Sequence, residues 1–263
     1  MRKTVFNNLE VEIRDHLGWI RMNRPPLNCL TVDFMDDLIR AHELMDASPE
    51  VWAVLLTSSS EKFFSNGLDP DYILERTPGE RAKVFKKLLK MTRVMYEFSK
   101  PQIAVINGHA FAGGAVLSVM ADFRFMAAGK GKISFSETRV GLTLPDLLLP
   151  IIEAVVGPEN MVRVAMMGEA FSPEQSLAMG LVDRVVEPDQ LQAEAENYMR
   201  EILDTMPLAS LHSVKAGIRK RRVKMLRKMK RSGLRQMRAF LTGNFEEGLT
   251  AVRERRKPVF SNP

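Results

Sequence analysis

Hydrophobic and polar positions change period several times along this chain, and the changes divide it into strands and helices. Residues 9–22 (LEVEIRDHLGWIRM) alternate, break at Asp15-His16-Leu17-Gly18 and resume, which predicts a hairpin closed by Pro25-Pro26. Thr31 stands at the N-cap position of a segment, 32–46, in which Phe34, Leu38, Leu44 and Met45 recur at helical spacing. VWAVLLTSS (51–59) is an apolar run of the kind a buried strand presents. A glycine-containing loop, KFFSNGLDP (62–70), leads to a polar, lysine-rich helix over 79–98, and Pro101 resets the chain for a buried strand, IAVIN (103–107). Short strands are expected at 123–127 and 132–135, a two-proline loop over 140–150, and a helix over 158–167. Ser172, Pro173 and Gly180 read as cap, first turn and stop of another helix. The run 181–186 reads as a last strand, and everything from 188 onward as helix. Strands alternating with helices over the first two thirds predict an α/β fold with a helical C-terminal part, joined near 190–210.

One stretch stands out within this pattern. GHAFAGGAVLSVMAD (108–122) places Gly108, Gly113 and Gly114 between a strand and an apolar helix. Strand, glycine turn and helix together aim backbone N–H groups at a negative charge.

Composition and charge narrow the classes. With 263 residues and 45% hydrophobic residues the chain has material for one large domain, or a domain with an appendage. No apolar run approaches the length of a membrane span, and the N-terminus turns polar too early for a signal peptide. A single cysteine, Cys29, excludes an intramolecular disulfide and fits a reducing compartment. The C-terminal SNP is no peroxisomal address, so the expected location is cytoplasmic. His16, His42, His109 and His212 are scattered, without a metal-binding motif, and no metal is expected. Ser65 and Ser136 lack an evident His/Asp partnership, which speaks against a serine hydrolase.

The net charge of +6 is concentrated. Residues 215–238 hold twelve Lys/Arg and no acid (Lys215, Arg219, Lys220, Arg221, Arg222, Lys224, Arg227, Lys228, Lys230, Arg231, Arg235, Arg238), and removing those twelve from +6 leaves −6 for the remainder. The expected form is a solvated amphipathic face with Met225, Leu226 and Met229 turned inward. A nucleic-acid or anionic-membrane partner is the alternative that such a block raises.

Six ordered blocks carry a resemblance: MNRPPLNCL (22–30), KFFSNGLDP (62–70), KPQIAVINGHAFAGGAVLSVMAD (100–122), ISFSETRVGL (133–142), GEAFSPEQSLAMGLVDRVV (168–186) and RERRKPVF (253–260). Together they resemble the crotonase family, the enoyl-CoA hydratase/isomerase superfamily. The resemblance implies a crotonase-like spiral of ββα and βββα units over 1–195. It implies a helical trimerisation region over 196–263, a homotrimer or dimer of trimers, and acyl-CoA thioesters as ligands. Coenzyme A would be part of the substrate, so no separate cofactor is expected. The N–H groups of Leu68 and Gly113 would form an oxyanion hole for a thioester enolate. Asn66, Gly67, Asp69, Gly114, Val116 and Asp146 would border the substrate, and Arg24 would reach its nucleotide. Asn66 is expected to brace its loop rather than bond the ligand, and Asp69 and Tyr72 to organise the same loop.

Carboxylates then decide the chemistry. Hydratases of the family resemble one another in carrying two glutamates, one three residues after the oxyanion glycine and one in the ISFSETRVGL block. Here the first position is Val116 and the second is Glu137. A single base beside an enolate-stabilising hole suits proton transfer from C2 to C4 of a 3-enoyl-CoA, the reaction of the family's isomerases. Phe135, Val140 and Leu142 would raise the pKa of that base. Asp146 is expected to cap the helix beginning at LLLPII, or else to serve as a second acid/base, as in dienoyl-CoA isomerases. Dienoyl-CoA isomerisation, hydration, and a non-catalytic acyl-CoA or nucleic-acid binding member stay open as alternatives.

Overall fold

The computed structural model describes residues 2–228 and 237–261. The predicted hairpin is β2 (Leu9–Arg14) and β3 (Leu17–Met22), turning on Asp15 and His16, both at positive φ. A short strand, β1 (Arg2–Val5), adds antiparallel to β2. From β3 onward the main sheet is parallel: β4 (Ala53–Ser58), β6 (Gln102–Ile106), β8 (Phe123–Ala127) and β10 (Arg184–Val186) follow in spatial order.

Each turn of the chain also leaves a short strand in a second sheet. β5 (Phe63–Ser65), β7 (His109–Phe111) and β9 (Ile133–Ser134) pair in parallel, and a bridge between Leu30 and Leu68 extends the row by one position. A helix then returns the chain for the next turn. These are α1 (Val32–Ala47), α2 (Pro70–Leu74) with α3 (Pro78–Glu97), α4 (Gly113–Met120) and α5 (Leu149–Val156). The result is a spiral of repeating two-strand, one-helix turns, as the crotonase resemblance implied.

The apolar runs of β4, β6 and β8 follow from burial on both faces. Val54, Leu56, Ala104, Ile106 and Met126 face a core shared with α1, α3 and α4. Their alternates Ala53, Leu55, Ile103, Val105 and Phe125 face Leu191, Ala195 and Met199 of α7 (Leu191–Thr205). Residue 195, the expected end of the spiral core, therefore lies within a helix that covers the sheet. The cap expectations hold: Phe34 N–H donates to the Thr31 side chain, and a Ser172–Gln175 capping box opens α6 (Pro173–Ala178). The 158–167 segment is not one α-helix but a 3-10 turn, Pro158–Asn160, and a π-helix, Val162–Met166.

The basic segment corrects its expectation. In α8 (Leu208–Lys228), Met225 is 41% exposed rather than turned inward; the Leu226 side chain and residues 229–236, including Met229, lie outside the described part. Two of the cations are buried instead. Lys215 Nζ lies 2.7 Å from Asp122 Oδ2 and donates to the Lys100 carbonyl at 2.5 Å. Arg219 pairs with Asp122 Oδ1 at 2.7 Å and donates to the Tyr96 and Met120 carbonyls, which end α3 and α4. Helix C-termini carry partial negative charge, so one guanidinium satisfies two of them and a carboxylate. These cations fasten α8 to the spiral and are not free for a nucleic acid or membrane. Lys220, Arg221 and Lys224 are exposed, as a solvated face requires.

Asp122→Ala leaves two buried cations without their counter-ion. Urea unfolding is expected to register a loss of about 3–5 kcal/mol; a loss below about 1 kcal/mol would mean that the triad does not anchor α8.

Candidate active site

Two backbone segments cross at the centre of the molecule, and glycine makes the crossing possible. A Cβ on Gly114 would lie 2.0 Å from the Ser65 carbonyl oxygen, and one on Gly67 would lie 2.9 Å from the Gly113 nitrogen. Gly67 also holds φ +79°, a conformation L side chains rarely adopt. Ala112, at φ 45° and ψ −117°, turns the chain abruptly out of β7 into α4. Helix α4 therefore begins at Gly113, with its first N–H pointing out of its end. Neither that N–H nor the N–H of Leu68 has a hydrogen-bond partner among the described residues. Both residues line one cavity of about 200 Å³.

The 65–68 loop is braced from below. Ser65 Oγ donates to the Asn28 carbonyl at 2.8 Å and accepts from Gly67 N–H. Asn66 shares in the bracing expected of it, its N–H donating to the Leu27 carbonyl at 3.0 Å, and it also lines the cavity. Asp69 caps α2 by accepting from Tyr72 N–H, and it pairs with Arg24 at 3.0 Å. Gly67 and Gly114 do not line the cavity as expected; they lie behind it, where the chains touch.

Glu137 enters the same cavity from a 3-10 turn, Glu137–Val140, that follows β9. It is 7% exposed, and its Oε2 has no hydrogen-bond partner. Burial pushes its carboxyl up to about 7, opposed by a hydrogen bond from its own backbone. Val140, Leu142, Leu148, Leu88 and Leu89 supply apolar surroundings, and Phe135 lies buried beside the turn. Val116 faces the cavity from the first turn of α4. Glu137 is thus the one ionisable side chain lining the cavity among the described residues.

The turn that carries Glu137 abuts α9 (Gly243–Glu254), which lies in the region expected to serve trimerisation. A Cβ on Gly248 would lie 2.4 Å from the Val140 carbonyl oxygen, and one on Gly141 2.5 Å from that of Asn244, so the two backbones touch. Buried Arg81 ties α9 to α3 through Glu246 and donates to the Ile73 carbonyl. Phe240, Phe245, Leu249 and Val252 then close the cavity from the C-terminal side. Phe245, Leu249 and Val252 recur at helical spacing, but the sequence does not say which surface they meet.

Asp146 is the expectation that fails. It is exposed and absent from the cavity wall, and α5 begins after Leu148 with no side-chain cap. It is therefore neither a cap for that helix nor a second acid in this cavity. Arg24 lines a separate groove of about 620 Å³, joined to the cavity through the shared residues Asn66, Pro70 and Val252. Arg253 and Arg255, from the end of α9, line the same groove. Among the described residues, no group of three or more His, Cys, Asp or Glu is placed to hold a metal.

A family model described as Enoyl-CoA hydratase/isomerase matches residues 12–263. The chain is 28% identical to the rat mitochondrial enoyl-CoA delta isomerase 1 over 235 residues, 89% of this chain and 81% of that protein. It is also 28% identical to a crotonyl-CoA hydratase of Syntrophomonas wolfei, over 97% of this chain and 98% of that one. In fold it resembles human mitochondrial delta3-delta2-enoyl-CoA isomerase, with a TM-score of 0.90 at 24% identity, over 95% of this chain and 98% of that structure.

Ionising a buried carboxyl opposes folding, and the sign of the pH effect follows. Between 4.5, the ordinary value, and about 7, the folded state holds a proton on Glu137 that the unfolded state has released. Stability should fall as pH rises through that window. Relative to Glu137→Gln, the wild type is expected to lose on the order of 3 kcal/mol between pH 4 and pH 8 in denaturant titrations. A pH-independent difference would place Glu137 in contact with water.

Proposed function

The chain belongs to the enoyl-CoA hydratase/isomerase family, and we propose that within it this protein moves the double bond of a 3-enoyl-CoA to the 2-position. One observation carries the reading: an unpaired, buried Glu137 shares an apolar cavity with two unbonded N–H groups, while Val116 holds the position where a second carboxylate would stand.

The reaction balances with these groups alone. The Glu137 carboxylate takes a proton from C2 of the thioester. The C–H electron pair moves toward the carbonyl and the C3–C4 double bond, giving a dienolate with its charge on the thioester oxygen. The N–H groups of Leu68 and Gly113 would donate to that oxygen, with the positive end of α4 behind Gly113. Removing one such donor elsewhere costs about 3–4 kcal/mol of transition-state stabilisation. Protonated Glu137 returns its proton to C4, and the electron pair settles between C2 and C3. A carboxyl poised near 7 can both accept and give up a proton at neutral pH.

Hydration needs a water held and deprotonated on the face of the double bond. Val116 offers that water neither an acceptor nor a base, which favours isomerisation over the hydratase reading. Dienoyl-CoA isomerisation through a second acid loses its support with Asp146 outside the cavity. The coenzyme's phosphates would lie in the groove of Arg24, Arg253 and Arg255, adjoining the cavity. Coenzyme A then arrives with the substrate and no further cofactor is needed. The reading also carries a homotrimer, for which Val214 and Ile218 on α8 offer exposed apolar side chains.

Glu137→Gln should lower kcat for 3-hexenoyl-CoA isomerisation by more than about a thousand-fold with acyl-CoA affinity retained. In the wild type, kcat/KM should rise with pH through about 7, because the base must be ionised. Turnover within ten-fold of wild type in Glu137→Gln would end the assignment.

A further inference from the structure

The volume and walls of the cavity carry an inference about the acyl chain, which rests on the acyl-CoA reading above. Phe240 and Phe245 are 2% and 0% exposed and line the cavity beside Leu148 and Leu249. Their ring centroids are 5.1 Å apart, and Phe85 of α3 packs against Phe240 at 4.9 Å. Three aromatic rings in series form a wall that close packing holds in place. The residues common to the cavity and the arginine groove are Asn66, Pro70 and Val252, so the phenylalanines stand away from the opening.

That wall has little room to retreat. Phe245 sits in the first turn of α9, whose backbone abuts the Val140 carbonyl at Gly248 and whose Glu246 is paired with buried Arg81. Moving α9 outward would break that pair and shift the turn that carries Glu137. The space inside is about 200 Å³. Sites for drug-sized ligands usually enclose roughly 300–1,000 Å³. This cavity is smaller than those, with room for a short acyl chain rather than a long one.

We propose that Phe240 and Phe245 are specificity-determining residues that close the acyl site and limit this protein to short acyl-CoA thioesters, of about eight carbons or fewer.

Titration calorimetry with saturated acyl-CoAs of four to sixteen carbons reads chain length without requiring turnover. Affinity is expected to rise by about four-fold per methylene up to about eight carbons, and then to fall at least ten-fold by twelve carbons. Phe240→Ala and Phe245→Ala should each raise the ratio of twelve-carbon to six-carbon affinity by ten-fold or more. Phe240→Leu, a milder change, should move the ratio in the same direction if the alanine variants do not fold. A wild-type optimum at twelve carbons or beyond overturns the proposal, as does an unchanged ratio in folded variants. Because these ligands have no double bond, the profile separates the two readings. The expected profile without turnover of any 3-enoyl-CoA would sustain the chain-length limit and sink the isomerase assignment. Binding of no acyl-CoA would sink both.

Discussion

The crossing of two backbones at Ser65–Leu68 and Ala112–Gly114 is the constraint on which the rest of this structure depends. With the Ser65 carbonyl 2.0 Å from where a Gly114 Cβ would be, no other residue fits there without moving one chain. The crossing joins successive turns of the spiral: β5 and β7 pair just before it, and α4 starts just after it. It also fixes where α4 begins. A helix entered through an alanine at positive φ leaves its first N–H without an internal partner, and Leu68, whose N–H has no partner among the described residues, lines the same cavity. Donors held by backbone packing, as proposed for Leu68 and Gly113, need no reorganisation when charge appears, which is what a preorganised electrostatic site requires.

Glu137 depends on a different contact, made late in the chain. β9 is only two residues long, and the 3-10 turn after it has little support from the second sheet. The support comes from Thr138 and Arg139, which donate to the Met166 and Met167 carbonyls, and from α9, whose Gly248 and Asn244 meet Val140 and Gly141 backbone to backbone. One helix thus abuts the turn of Glu137, walls the cavity through Phe245 and Leu249, and ends in the arginines of the adjoining groove. The turn of Glu137 and the Phe245 part of the proposed specificity wall both rest on α9.

Much of this was legible in the sequence, and the limits have physical causes. The strands of the main sheet were readable because burial on both faces writes continuous apolar runs. The caps at Thr31 and Ser172 were readable because the capping chemistry is local. The second sheet was barely readable, since strands of two or three residues carry no period. Helix α2 was missed inside a loop although Asp69-Pro70 is a cap followed by a first-turn proline. Glu137, Leu68, Gly113 and Val116 were singled out from their motifs, and the fold brings them to one cavity. Asp146 was misjudged because an acid before a helix looks the same in sequence whether the helix starts at the next residue or three later. The burial of Lys215 and Arg219 was hidden for a related reason: their partners, Asp122 and the ends of α3 and α4, are distant in sequence. The Phe240–Phe245 wall was invisible because nothing local says which cavity a C-terminal helix will cover.

The central claim is that this site moves a proton along a bound chain rather than adding water to it. The direct test is product identification by mass spectrometry after the wild-type protein acts on 3-hexenoyl-CoA in deuterated water. The expected product is 2-hexenoyl-CoA of unchanged composition apart from deuterium exchanged at carbon, with no 3-hydroxyhexanoyl-CoA accumulating. No conversion of 3-hexenoyl-CoA, while 2-hexenoyl-CoA supplied separately gains one water, would overturn it, and would mean that the cavity beside Val116 holds and activates water after all.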